Sequence, residues 1–456
     1  MNILVIGNGF DLAHGLPTKY TDFLDFVKVI KRIYFADYHD IYAEEAWQKL
    51  NMRDNTNKES LKEFFINIYN TREVEEFKPP QDVLLYIVKT TIFCDEFHKN
   101  IVNNIWVDYF LHCSMHQRDN WIDFENEISR IIQMIDNALK SDGQNENTII
   151  RKFSEVYFSE RFLDDFDERE KEREEKALRE IKKIEKREGE KWNISKKIEY
   201  LNDYNKKHPI QRQKGIITYK GLISRLKQDL NSIIRALEIY LTIYVAKLDI
   251  TNICKDIKNL SIDHVLSFNY TDTYKRLYGT YKIDYDYIHG EANINNTIDS
   301  NNMVLGIDEY LSKKRRNKDV RFIAFKKYYQ RIHKQTGSKY KEWVDKIIED
   351  ENRKPWIING IDYSKDYTHN LYIFGHSLDV TDKDILRDLI LHDNVHTTIF
   401  YYEENNDNGR TDLGKKIANL VKVIGQDELI KRTGGSTKTI EFVPQLSIED
   451  SRAEAT

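Results

Sequence analysis

A chain of 456 residues exceeds one ordinary domain, and with 40% of them hydrophobic it can bury a sizeable core. Its 70 basic and 75 acidic residues nearly cancel, to a net charge of −5, so no global field draws it to nucleic acid. Cys94, Cys113 and Cys254 are scattered and form no Cys-x-x-Cys pair, which excludes a disulfide scaffold and a cysteine-built zinc ribbon and suits a reducing cytosol.

In chain order, Ile3 to Ile6 form an apolar run closed by Gly7, which predicts a buried strand. The start, MNILVIGNGFD, has no basic region and glycines interrupt its apolar run, so no signal peptide is expected. Tyr20, Phe23, Leu24, Val27 and Ile30 then recur at helical spacing. Only six prolines occur, which favours long helices, and from about 58 to 250 nearly everything has helical character. The apolar stretch 83–94 is short and carries Lys89, so it reads as a buried helix face rather than a membrane span, and a cytoplasmic protein is expected. Phe124, Ile128, Ile131, Ile132, Ile135 and Leu139 lie on one helical stripe. Residues 163–191 are almost wholly charged with mixed signs, which predicts a solvated helix or hairpin arm.

From 262 short apolar runs alternate with helical patterns again. Strands are expected at 264–268, 285–289, 302–306, 371–375, 397–402 and 439–443, with helices at 382–391 and 412–425. The fold class this predicts is α/β: a Rossmann-like, mostly parallel sheet with a large α-helical insertion. The expected domains are 1–57 with 255–456, interrupted by the helical insertion 58–254.

Ligands of such sheets sit beyond the carboxyl ends of the strands, where Gly7 and Gly9 lie. A glycine loop opening a helix suits a phosphate or diphosphate, although a tight turn with no ligand fits the same residues. The dehydrogenase fingerprint needs a third glycine where Leu12 stands, and no Walker loop follows. Asn269 ends one predicted strand and His289-Gly290 ends another. Taken singly, such residues also fit a turn or helix cap and a packed histidine.

The stretch GNGFDLAHGLPTKY resembles the first loop of sirtuin-type NAD-binding domains, with Gly7, Gly9, Gly15, Leu16, Pro17 and Tyr20 in the family's places. Asp11 departs from it, standing where the family has a small hydroxyl residue, and Asp272 falls one place late in the strand-end motif. The resemblance implies that Asn269 holds the attacking water and the ribose, and that His289 is the catalytic base. It further implies that Gly7, Asn8, Gly9, Phe10, Asp11, Pro17, Ser267, Gly290, Gly375 and Ser377 contact NAD as the substrate, with no metal. Asp382 reads as the cap of the helix that follows. Sirtuin deacylases carry a zinc module of two Cys-x-x-Cys pairs that this chain cannot build, so hydrolysis to ADP-ribose and nicotinamide is expected instead.

Over its whole length the chain also resembles the bacteriophage abortive infection AbiH family, through GNGFDLAHGLPTKYTDF, WIDFENEI (121–128), SFNYTDT (267–273), HG (289–290) and FGHSLD (374–379). That resemblance implies a phage-defence protein with an unidentified phage trigger. Two other classes stay open: a nucleotide-binding regulatory module that does not hydrolyse, and a metal-dependent nuclease using Asp123, Glu125 and Glu127. A small dinucleotide is the expected partner, self-association through the insertion fits its long helices, and neither membrane nor nucleic acid is expected.

Overall fold

The computed structural model describes residues 1–39, 91–116, 122–141, 166–189, 218–248, 252–312, 318–353, 367–403 and 411–446, with a few single or paired residues between them. Residues 58–90, with most of the apolar stretch 83–94, lie outside the described residues, as do Trp121, 163–165 and 190–191.

Six strands form one sheet: β1 (Asn2–Ile6), β2 (His264–Ser267), β3 (Asp284–Tyr287), β4 (His369–Phe374), β5 (Val395–Tyr401) and β6 (Ile440–Pro444). Every pairing is parallel, and the spatial order is β3-β2-β1-β4-β5-β6. That 3-2-1-4-5-6 order is the one dinucleotide-binding sheets adopt, so the fold is Rossmann-like α/β. Ile6 pairs with Ser267 on one side and with Phe374 on the other, so the order reverses at β1.

The run at 3–6 is apolar without alternation because both faces of β1 are covered. Ile3 and Val5 point into a core with Leu371, Ile373, Ile399, Leu386 and Leu389. Leu4 and Ile6 point the other way, against Phe10, Val265, Phe374 and Phe400. Side chains of a strand alternate between its faces, so one run feeds both layers.

The expected strand at 302–306 is not one. Its apolar residues are buried, but its backbone bonds elsewhere: Val304 N–H donates to the His289 carbonyl, and both polar groups of the Leu305 backbone are met by the Gln330 amide at 3.0 Å. A side-chain amide there takes the place of a neighbouring strand.

The chain divides into two compact units: Met1–Val27, Asn55–Phe97 and Ile234–Thr456 form one, which holds the whole sheet, and Lys28–Asp54 with His98–Ile233 form the other. The described residues of the second lie almost wholly in helices. In Phe124–Ser141 the predicted stripe of Phe124, Ile128, Ile131, Ile132, Ile135 and Leu139 is buried throughout. The charged stretch is a single helix, Phe166–Glu188, that buries Ala177 and Ile181. Among the described residues no helix is long and apolar enough to cross a membrane.

Candidate active site at the carboxyl edge of the sheet

The ends of β1 and β4 meet backbone to backbone. Gly7 N–H donates to the Phe374 carbonyl at 3.2 Å and Gly9 N–H to the Gly375 carbonyl at 2.9 Å. A Cβ on Gly7 would sit 2.8 Å from the Gly375 oxygen, and one on Gly9 2.8 Å from the Gly375 Cα. These glycines therefore answer a packing demand inside the chain. Gly9 N–H is committed to that contact and Phe10 N–H donates to the Gly7 carbonyl at 2.8 Å, so neither points a bare donor at a diphosphate. Phe10 is wholly buried, edge-on to Phe374, and its ring belongs to the core.

Asn269 follows the end of β2 and is buried. Its Nδ2 donates to the Gly7 carbonyl at 3.0 Å, while Ser267 Oγ bonds both the N–H and the carbonyl of Asn269 at 3.1 Å. Asp11, fully buried, accepts from Thr271 Oγ1 at 2.6 Å, and its Oδ1 has no partner. Burial pushes its carboxyl up to about 6 against the pull of the Thr271 and Thr273 hydrogen bonds. Asn8 is exposed and accepts from Thr18 Oγ1 at 2.7 Å, and the Pro17 carbonyl accepts from Tyr240 at 2.8 Å.

His289 stands just beyond β3, flanked by the rings of Phe268 at 5.6 Å and Tyr270 at 6.5 Å, the neighbours of Asn269. Gly290 after it has φ +80°, and a Cβ there would meet the Asn302 carbonyl at 2.2 Å. His289 Nδ1 is buried without a partner, and Nε2 lies 3.9 Å from Asp382 Oδ1. Burial, with the positive charge of Lys327 nearby, lowers this histidine to about 3. The desolvated ring is therefore neutral at rest.

The other oxygen of Asp382 lies 3.4 Å from His376 Nε2. Asp382 occupies the N-cap position of Lys383–Ile390 but makes no side-chain cap bond, which corrects the expected role. Asp379 caps the short 3-10 turn Val380–Asp382 that precedes this helix, accepting from Thr381 N–H at 3.0 Å. Burial works to raise Asp382, yet the His376 hydrogen bond and Lys327 outweigh it and hold the carboxyl well below the usual range. Asp308 is pushed up to about 6 by burial, against the pull of Lys327. Ser377 is exposed, with its carbonyl held by Asn419 Nδ2 at 3.0 Å.

The structure thus brings Gly7, Gly9, Asn269, His289 and Gly375 to one edge and turns Phe10 into the core. His376 and Asp382 join the histidine site although no site role was expected of either. Their signal was the polar run GHSLDVTD, in which an aspartate before a helix reads as a cap and only packing shows that it faces the histidines.

Asp123, Glu125 and Glu127 do not form a metal site. Asp123 Oδ1 accepts the N–H groups of Glu125 and Asn126 as a helix cap, and Glu127 accepts from Tyr109 at 2.5 Å and pairs with Arg130. Among the described residues no group of three or more His, Cys, Asp or Glu could hold a metal ion.

A family model described as bacteriophage abortive infection AbiH matches residues 3–402. Neither a curated protein nor a solved structure matches the chain.

Proposed function

The chain belongs to the bacteriophage abortive infection AbiH family, and from that premise we propose that it is a phage-defence effector hydrolysing NAD to ADP-ribose and nicotinamide. The observation that carries this reading is His289: a neutral, buried imidazole with an unpartnered Nδ1, flanked by the rings of Phe268 and Tyr270 at the carboxyl edge of a 3-2-1-4-5-6 sheet. Substrates of such sheets lie at that edge.

The bond from ribose C1′ to nicotinamide breaks through an oxocarbenium-like state, and its electron pair leaves with neutral nicotinamide. Water attacks C1′ from the opposite face and gives its proton to His289 Nδ1. Asn269 Nδ2 is committed to Gly7, so its amide oxygen is the atom that would receive the water or a ribose hydroxyl. Because the N–H groups of Gly7, Gly9 and Phe10 are committed, the diphosphate charge falls chiefly to Lys327 and Arg331, whose positive field already reaches His289. A diphosphate there would offset that field and raise the imidazole toward a working base.

The low resting basicity of His289 also favours a second reading, a module that binds the nucleotide without hydrolysing it. Purified protein incubated with NAD separates the two. The wild type should release nicotinamide, while His289→Ala and Asn269→Ala stay folded and release none. Both variants hydrolysing at the wild-type rate would sink the assignment, and binding without release would favour the module.

A further inference from the structure

We infer that Asp382 is a shared positioning carboxylate, one oxygen directed to each of two histidines, and that it holds His289 with its proton on Nε2 and its bare Nδ1 toward substrate. Its catalytic half rests on the hydrolase reading above; its structural half does not.

The geometry fixes the first ring. Leu378 N–H donates to His376 Nδ1 at 2.9 Å, so that nitrogen carries no hydrogen in the neutral ring. The hydrogen is on Nε2, which faces Asp382 Oδ2. Holding this arrangement requires an unusual backbone: Gly375 has φ +69° and the buried Leu378 φ +57°, a region that a leucine rarely enters. Lys416 Nζ, also buried, donates to the His376 carbonyl at 2.7 Å. The ring of Phe268 packs on both imidazoles, 4.3 Å from His376 and 5.6 Å from His289. With His376 fixing one oxygen, the other is left 3.9 Å from His289 Nε2. Catalytic hydrogen bonds are often that long before substrate closes the site.

The second ring follows from charge. An ionised carboxylate facing Nε2 favours the tautomer with hydrogen on that nitrogen, leaving Nδ1 as the acceptor. When Nδ1 takes the proton of the attacking water, the ring becomes a cation and Asp382 stabilises it. The proton then passes to solvent as the products leave, and the carboxylate stays ionised throughout. The division of labour is that of a carboxylate orienting a histidine base in hydrolases generally.

The test is a long-range 1H–15N spectrum of the full chain with labelled histidines, read beside steady-state NAD hydrolysis. In the wild type, His289 and His376 should both show hydrogen on Nε2 and a bare Nδ1. Asp382→Asn can donate to Nε2 and should flip His289 to the other tautomer, lowering kcat by about 10²–10⁴-fold with little change in KM. Asp382→Glu should restore part of kcat. A wild-type His289 carrying its hydrogen on Nδ1 would overturn the inference without any variant. So would a folded Asp382→Asn with an unmoved His289 signal. If the wild type releases no nicotinamide, the hydrolase reading fails, and the spectra still decide the role of Asp382.

Discussion

Gly9 donates its N–H to the Gly375 carbonyl across 2.9 Å, so the first loop of the chain and the end of β4 touch with no side chain between them. The glycine pattern that reads as a ligand cradle is here the means of closing two strand ends onto each other. Dinucleotide folds use such glycines for both purposes, and here the packing one accounts for the spacing.

Gly375→Ala should therefore be among the most damaging single substitutions. The new Cβ would lie 2.1 Å from the Phe10 nitrogen and 2.5 Å from the Gly9 carbonyl carbon, at φ +69°. Both obstacles are backbone and cannot swing aside. A loss of about 3 kcal/mol or more is expected, from left-handed strain and the displaced loop together. Urea unfolding measures it, and an unchanged midpoint would mean that the strand ends do not meet as described.

His289 should leave a signature in stability against pH. It is neutral in the folded chain down to about pH 3 and ionises near 6.5 when unfolded. Its contribution is whole above pH 6.5 and is lost as pH falls toward 3, because the unfolded state then binds the extra proton. Asp11 and Asp308, raised to about 6, act in the opposite sense: their contribution is whole below 3.8 and lost as pH rises through 6. Comparing wild type with His289→Gln isolates the imidazole. Their difference should change by about 1.4 kcal/mol per pH unit between pH 6 and 4. Parallel curves would show that the ring is solvated rather than buried neutral.

Asp11→Asn should stabilise the chain at alkaline pH. The native carboxylate must ionise in a fully buried place, with Oδ1 lacking a partner. Asparagine keeps an acceptor for the Thr271 hydroxyl and carries no charge at any pH. A gain of about 1–3 kcal/mol at pH 8, shrinking toward nothing at pH 4, is expected from thermal or urea unfolding at the two values. A loss of stability at pH 8 would contradict the burial of that carboxylate.

The strand and helix order was legible along the chain because it follows from local periodicity. Apolar runs such as 3–6 and 371–374 need cover on both faces, and that requirement alone implies a parallel sheet between helical layers. The stripe of the Phe124–Ser141 helix was readable for the same reason. The stretch 302–306 was misread because the same apolar signal appears where Gln330, rather than a strand, meets the backbone.

The amino-acid sequence by itself determined the α/β class, the two glycines at a strand end, and the presence of Asn269 and His289 at strand termini. It could not say what those glycines touch, since Gly375 lies at the far end of the chain. Nor could it show that Asp382, read there as a helix cap, faces two histidines instead. Tertiary structure made both decisions: the reversal of strand order at β1 sets Gly9 on Gly375, and the left-handed turn at Leu378 aims His376 at Asp382. Periodicity is a property of neighbouring residues, whereas protonation, tautomer and hydrogen-bond partner depend on segments that only the folded chain brings together.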